Sequence, residues 1–281
     1  MEKGKEPMIE LAWGAHTDRG RRRELNEDSF VAEPPLFFVA DGMGGHTAGE
    51  RASATAIEAF SELRGRSLVG LDDVERAFAR AVRDVSGIGA GIDAAGTTIS
   101  GVAVTEQGGE AYWLVMNIGD SRTYRLAAGV LEQISVDHSE VQELVDKGEI
   151  SSAEAERHPR RNVITKAVGA GSYDEPDYWL IPVAQGDRIL VCSDGLSKEL
   201  DTARLTQVLS EEESAQAAAT RLVHEALLHG GRDNITVVVV DAIRDDGQGA
   251  LDDTQTHVLD EDTLPRDLSK ERTGDGPIQF G

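Results

Sequence analysis

The stretch LFFVADGMGGH, residues 36–46, sets five apolar residues against an aspartate and a glycine-rich turn. An apolar run of that length, with two phenylalanines and a valine, has the size of a strand buried on both faces. The glycines after it match neither Gly-x-x-x-x-Gly-Lys-Ser/Thr nor, from Gly42, Gly-x-Gly-x-x-Gly, so they form no phosphate cradle of those kinds. The stretch reads instead as a strand ending at Ala40 that delivers the Asp41 carboxylate. The glycines then let the chain turn into a helix beginning near Glu50.

The same arrangement returns elsewhere. Asp194 follows ILVCS and precedes Gly195, Asp233 sits in GGRDN directly before ITVVVV, and Asp120 follows MNIG. Taken singly, each aspartate also reads as a mark of a strand-ending turn. Four in similar settings point to one polar pocket at the lip of a sheet. Carboxylates gathered there repel one another unless a cation lies between them. With no His-x-His, Cys-x-x-Cys or His-Glu-x-x-His, every candidate ligand is an oxygen, which suits Mg²⁺, Mn²⁺ or Ca²⁺. A second cluster, Thr17 to Asp28, is dense in charge. Its arginines offer planar, bidentate partners for phosphate, or else make a solvated loop.

Outward from these points, strands in hairpins alternate with blocks of helix. Ile9, Leu11 and Trp13 alternate as a half-buried strand does, and Pro34-Pro35 turns Phe30-Val31 back onto Leu36–Ala40. Helices are expected over Glu50–Leu63 and from Asp72. A strand meander follows through Thr98–Val104, a Gly108-Gly109 hairpin, Ala111–Ile118, Arg122–Leu126 and Val130–Ile134. Ser139–Gln142 and Ser151–Glu154 read as capping boxes. After Tyr178–Ile181 and Ile189–Cys192 come helices around Leu205 and over Ala215–Leu228, with Gly230-Gly231 as C-cap. A last strand runs from Ile235 to Val240. Two batches of antiparallel strands with long helices between them imply an α+β sandwich.

The 281 residues carry a net charge of −23, which excludes nucleic acid as the main partner. No run reaches the length of a membrane span, the first ten residues lack a secretory signal, and the single Cys192 fits a reducing, cytoplasmic setting. Residues 245–281 hold ten acidic and three basic residues with few large apolar ones, the composition of a solvated, disordered tail.

The ordered segments DRGRRRELNEDSF (18–30), FFVADGMGGHTAGE (37–50), GTTISGVAV (96–104), NIGDSRTYRL (117–126), DHS (137–139), HPRRNVITKAVG (158–169), ILVCSDGLSKEL (189–200) and GGRDNITVVVV (230–240) resemble one family. It is the metal-dependent protein serine/threonine phosphatases of type 2C, or PPM type, in bacterial form. The resemblance spans nearly all of residues 8–242. It implies two packed antiparallel sheets flanked by helices in four layers, a catalytic domain over 1–244 with a flap at 139–177, and two Mn²⁺ or Mg²⁺ ions at one end of the sandwich.

Carried over by position, Asp41 bridges both ions, Gly42 lends its carbonyl to one, and Asp194 and Asp233 bind the other. Asp120 shares a third, weaker ion with Asp194. Arg23 holds the substrate phosphate, and Glu27 and Asp28 support water on the ions. The implied reaction is in-line attack of a metal-bridging hydroxide on phosphoserine or phosphothreonine in proteins, opposing Ser/Thr kinases. One departure stands out. Many eukaryotic members carry a histidine, the candidate general acid, where this chain has Met43, which transfers no proton. His46 reads as structural, leaving water on the ions as the proton source. In the flap, Arg160, Arg161 and Lys166 either touch a phosphoprotein or balance nearby acids.

Other readings are weaker. A cysteine-based phosphatase needs Arg six positions after Cys192, where Lys198 stands. Gly119-Asp120-Ser121 resembles the start of a GDSL-type hydrolase, but Arg122 replaces leucine. His138 and His224 read as hydrogen-bonded fold residues. A catalytically dead phosphoprotein-binding module would be expected to lack a metal carboxylate, and dephosphorylation of an anti-sigma-factor antagonist lacks an accompanying sensory domain. Thr254, Thr256 and Thr263 lie among acids, which raises the expectation that one is phosphorylated and recruits a phosphothreonine-reading domain, against a purely solubilising tail.

Overall fold

The computed structural model describes residues 9–44, 47–88, 95–155, 157–169, 172–173 and 175–243. All of them fall within one compact unit, Met1–Gly249. His46 and the threonines of the tail lie outside the described residues.

In chain order the elements are β1 (Glu10–Asp18), β2 (Asp28–Glu33), β3 (Leu36–Met43), α1 (Ala48–Phe60) and α2 (Leu71–Ser86). Then come β4 (Gly96–Thr97), β5 (Ile99–Gln107), β6 (Glu110–Ile118), β7 (Arg122–Ala127), β8 (Val130–Gln133), α3 (Glu140–Asp146) and α4 (Ser152–Ala155). The rest are β9 (Val168–Gly169), β10 (Ser172–Tyr173), β11 (Asp177–Pro182), β12 (Arg188–Cys192), α5 (Asp194–Ser197), α6 (Thr202–Glu211), α7 (Ala215–His229) and β13 (Ile235–Ile243). One sheet runs β1-β13-β12-β7-β8. The other runs β10-β9-β4-β3-β5-β6-β11, with β2 also paired to β3.

Side chains alternate across each strand, and here both faces are apolar because both are covered. From β3, Phe37 and Val39 enter the core between the sheets with Ile189, Val191, Val238 and Val240. Leu36, Phe38 and Ala40 point the other way, onto Ala52, Phe60, Val74 and Phe78 of α1 and α2. On the opposite sheet, Leu190, Cys192, Val237 and Val239 pack on Leu205, Leu222 and Val223 of α6 and α7. The result is four layers, helix–sheet–sheet–helix, as the resemblance implies. Cys192 is a fully buried core thiol, pushed up to about 12 by burial.

Two local expectations need correction. β3 does not stop at Ala40. It continues to Met43 because Gly42 and Met43 pair with Thr97 and Gly96 of β4. Asp194 is not in a turn but opens helix α5, with Ser193 as its N-cap residue. The cap signals hold, however. Ser139 Oγ accepts from the Gln142 amide, and at Ser151 the box closes both ways with Glu154. No helix among the described residues is long and apolar enough to cross a membrane.

Candidate metal centre

At one end of the layer between the sheets, apolar side chains give way to polar ones. Asp41 continues the inward-facing series of Phe37 and Val39, and Thr236 continues that of Val238 and Val240. Asp28 lies directly opposite Asp41 in the β2–β3 ladder. Asp120 follows β6, Asp194 follows β12 and Asp233 precedes β13, so strand ends from both sheets converge here.

Main-chain bonds lock Asp41 in place and leave its carboxylate clear. Its amide donates to Thr98 Oγ1 at 3.0 Å, and its carbonyl accepts from the Thr98 amide and the Thr97 hydroxyl, each at 2.9 Å. Gly42 allows a close approach that any side chain would block. A Cβ there would lie 2.1 Å from the Gly49 carbonyl oxygen and 2.6 Å from that of Glu27.

Asp28 is held by hydroxyls. Ser193 Oγ donates to its Oδ2 at 2.8 Å and Thr236 Oγ1 donates to the same atom at 2.7 Å. Because Thr236 spends its proton on Asp28, Thr17 must donate to Thr236, and Asn26 in turn donates to Thr17 at 2.9 Å. Asn234 fastens the arginine loop to β13. Its Oδ1 accepts from the Glu27 amide at 2.9 Å, while its Nδ2 donates to the Arg19 and Leu25 carbonyls.

The electrostatics bear the mark of gathered anions. Burial holds Asp41 well above the usual carboxylate range, and the charges of Asp28, Asp194, Asp120 and Asp233 push the same way. Burial likewise raises Asp28, with Asp194 and Asp233 adding to it and the two hydroxyls opposing. Asp120 is raised by burial and by Asp194, and Glu27 by burial against the pull of Arg23. Perturbed carboxylates that cluster in this way are a property of functional sites.

Two cationic side chains enter the cluster. Arg23 Nη2 lies 2.8 Å from Asp233 Oδ1, with the arginine side chain 47% exposed at the rim. Lys198 Nζ contacts Asp194 Oδ2. Even so, buried oxygens remain without a partner: Glu27 Oε1, Asp28 Oδ1, Asp120 Oδ1 and Asp194 Oδ1. Buried unpartnered carboxylate oxygens are costly, and hard divalent cations are the partners that oxygen-only donors fit. The donor set therefore suits Mn²⁺ or Mg²⁺. Among the described residues no three such side chains already form a finished cage.

All eight residues singled out from the sequence lie in or beside this cluster. Asn234, Ser193, Thr97, Thr98, Thr236 and Lys198 lie inside the family-like segments, but the resemblance assigns them no role. A signal for the hydroxyls exists all the same: each interrupts or adjoins an otherwise apolar strand. Arg160 pairs with Glu140, and Lys166 lies 3.8 Å from Asp177. His138 accepts from the Gly119 amide and meets Asp177, and His16 and His224 pack edge to face.

Comparison with known proteins bears on this geometry. The family model described as "Protein phosphatase 2C" matches residues 17–228. The serine/threonine protein phosphatase PstP of Mycobacterium tuberculosis is 40% identical over 238 residues, covering 83% of this chain and 45% of that protein. The chain thus spans about half the length of this mycobacterial relative. The serine/threonine phosphatase stp of Listeria innocua is 33% identical, covering 80% of this chain and 93% of the relative. Among solved structures, the catalytic domain of PstP in complex with two manganese ions superposes with a TM-score of 0.74. It is 35% identical, with 83% of this chain and 98% of that one covered.

Proposed function

The chain belongs to the protein phosphatase 2C family, and from that premise we propose that it hydrolyses phosphoserine and phosphothreonine in proteins with Mn²⁺ or Mg²⁺. The observation that carries the reading is the convergence of Asp28, Asp41, Asp120, Asp194 and Asp233, with unpartnered buried oxygens, at the end of the sandwich. Asp41, the Gly42 carbonyl, Asp194 and Asp233 would hold the two core ions, and Glu27 and Asp28 would orient water beside them. When bound, the ions supply an activated water and neutralise charge on the phosphoryl group.

The chain's own contributions follow from its geometry. The bonded main chain of Asp41 fixes where its carboxylate stands, so little reorganisation accompanies reaction. Arg23, at the rim and on a loop tethered by Asn234, would grip substrate phosphate with its planar fork. Met43 can neither give nor take a proton, so the protonation of the leaving serine or threonine oxygen falls to solvent in the site.

The catalytic domain covers residues 1–244 with its flap at 139–177, and residues 245–281 form an acidic tail. Its partners are phosphoproteins, including Ser/Thr kinases and their substrates, in the cytoplasm. One of Thr254, Thr256 and Thr263 is phosphorylated there and recruits a phosphothreonine-reading domain. Mass spectrometry finding none of the three modified in cells with active kinases would remove that last element.

The activity itself is tested with a phosphothreonine peptide and added Mn²⁺. Phosphate release by the intact chain, lost in Asp41→Asn, is the expected result. A folded intact protein that releases no phosphate with either Mn²⁺ or Mg²⁺ would overturn the reading.

A further inference from the structure

Lys198 has no place in the roles assigned so far, yet it reaches into the carboxylate cluster. It stands four residues after Asp194, at the end of α5, and its amide donates to the Asp194 carbonyl at 2.9 Å. One short helical turn therefore carries its ammonium back onto Asp194 Oδ2. The lysine side chain is only 33% exposed, and the charged groups around it are Asp194, Asp120 and Asp233. Asp194 and Asp120 are themselves 8% and 6% exposed, and each keeps one oxygen without a partner.

We propose that the Lys198 ammonium is a resident cation on the Asp194–Asp120 side of the site, excluding a third divalent ion there while two bind nearer Asp41. The inference rests on the reading of Asp41, Asp194 and Asp233 as metal carboxylates. Charge supports it. Asp28, Asp41, Asp120, Asp194, Asp233 and Glu27 set six carboxylates against the two cations Arg23 and Lys198. The carboxylates outnumber the two cations, an excess that attracts divalent ions. Geometry supports it too: Asp194 Oδ2 is already occupied by Lys198, while the buried Oδ1 has no hydrogen-bond partner. A tethered ammonium needs no binding equilibrium, so that part of the site holds its charge whatever the metal concentration. Its three donors, by contrast, cannot replace the many oxygen contacts a divalent ion makes.

The test counts Mn²⁺ ions on the full chain after removal of metal, by calorimetric titration and by the electron paramagnetic resonance signal of free Mn²⁺. The intact chain is expected to take up two ions. Lys198→Met gains a third, which is lost again in Lys198→Met/Asp120→Asn, and Lys198→Arg stays at two. If Lys198→Met also stops at two, or if the intact chain already binds three, the proposal is overturned. Failure of the underlying metal reading looks different: the intact chain then binds no Mn²⁺, or binds it equally well as Asp41→Asn. Circular dichroism of each variant confirms that the counts come from folded protein.

Discussion

Asp28 and Asp41 face one another across the antiparallel β2–β3 ladder, two carboxylates on the same side of one sheet. Directly opposed like charges destabilise a strand pair. The fold retains this pair by placing it at a hydroxyl-lined sheet end, where Ser193 and Thr236 donate to Asp28. Without metal, ionising either residue works against burial and against its neighbours.

That strain has a sign. Asp28 is raised in the folded protein, so its contribution to stability is full below the unfolded carboxylate value of about 4 and is lost as pH rises through the folded value. Asp28→Asn, which keeps an acceptor for both hydroxyls, is expected to stabilise the metal-free protein at pH 7.5 by roughly 1–3 kcal/mol. The same variant gains less from added Mn²⁺. Urea titrations with and without chelator measure both, and a metal-free variant no more stable than the parent contradicts the account.

Asn234 ties Arg19, Leu25 and Glu27 to the start of β13. Asn234→Ala removes one acceptor and two donors from three part-buried hydrogen bonds and is expected to cost roughly 1–3 kcal/mol. Because it frees the loop that carries Arg23, KM for a phosphopeptide rises more than kcat falls. Asn234→Asp keeps the bond to the Glu27 amide alone and falls between. Steady-state kinetics beside thermal melts separate the two effects, and unchanged KM would refute the tether.

At Gly42, one methyl group would meet the Gly49 and Glu27 carbonyl oxygens. Backbone atoms cannot swing aside as a long side chain can, so Gly42→Ala is expected to push α1 or the Glu27 segment away from Asp41. A displacement near 1 Å costs on the order of a hundredfold in rate. The check is phosphate release by the variant at saturating Mn²⁺. Wild-type rates would show that the close approach is dispensable.

His138 adds a pH dependence of opposite sign. Its Nδ1 accepts from the Gly119 amide, so Nε2 carries the hydrogen and donates to Asp177, while Lys166 and Asp137 also face the ring. Burial, ahead of the other influences, lowers its pKa from the usual value. The stability it lends is present above about pH 6.5 and is lost as pH falls toward the folded value. Comparing unfolding midpoints with His138→Asn, at pH 7.5 and pH 5.5, cancels the carboxylates common to both. The advantage of the parent should shrink at the lower pH, and a constant difference would exclude this role.

Much of the molecule is legible along the chain. The apolar runs 36–40, 189–192 and 235–240 are strands because nearly every residue in them is buried, on one face or the other. Gly108-Gly109 joins β5 to β6 with both glycines at positive φ, as a two-residue hairpin requires. These are local signals, and local sequence carries them.

The features that are not legible there depend on partners distant in the chain. β4 and β9 are two residues each and exist only because strands far away in the chain pair with them. Asn234 next to Asp233 reads as one more polar loop residue until Arg19 and Leu25 come within its reach.

By itself, then, the sequence determined the layered α+β architecture, the family, and which carboxylates end which strands, since burial pattern and motif order are written along the chain. Only the tertiary structure decided that Ser193 and Thr236 donate to Asp28 and that Asn234 holds the arginine loop. Those are distances between segments, set by how the two sheets close on their shared core, and no spacing along the chain contains them.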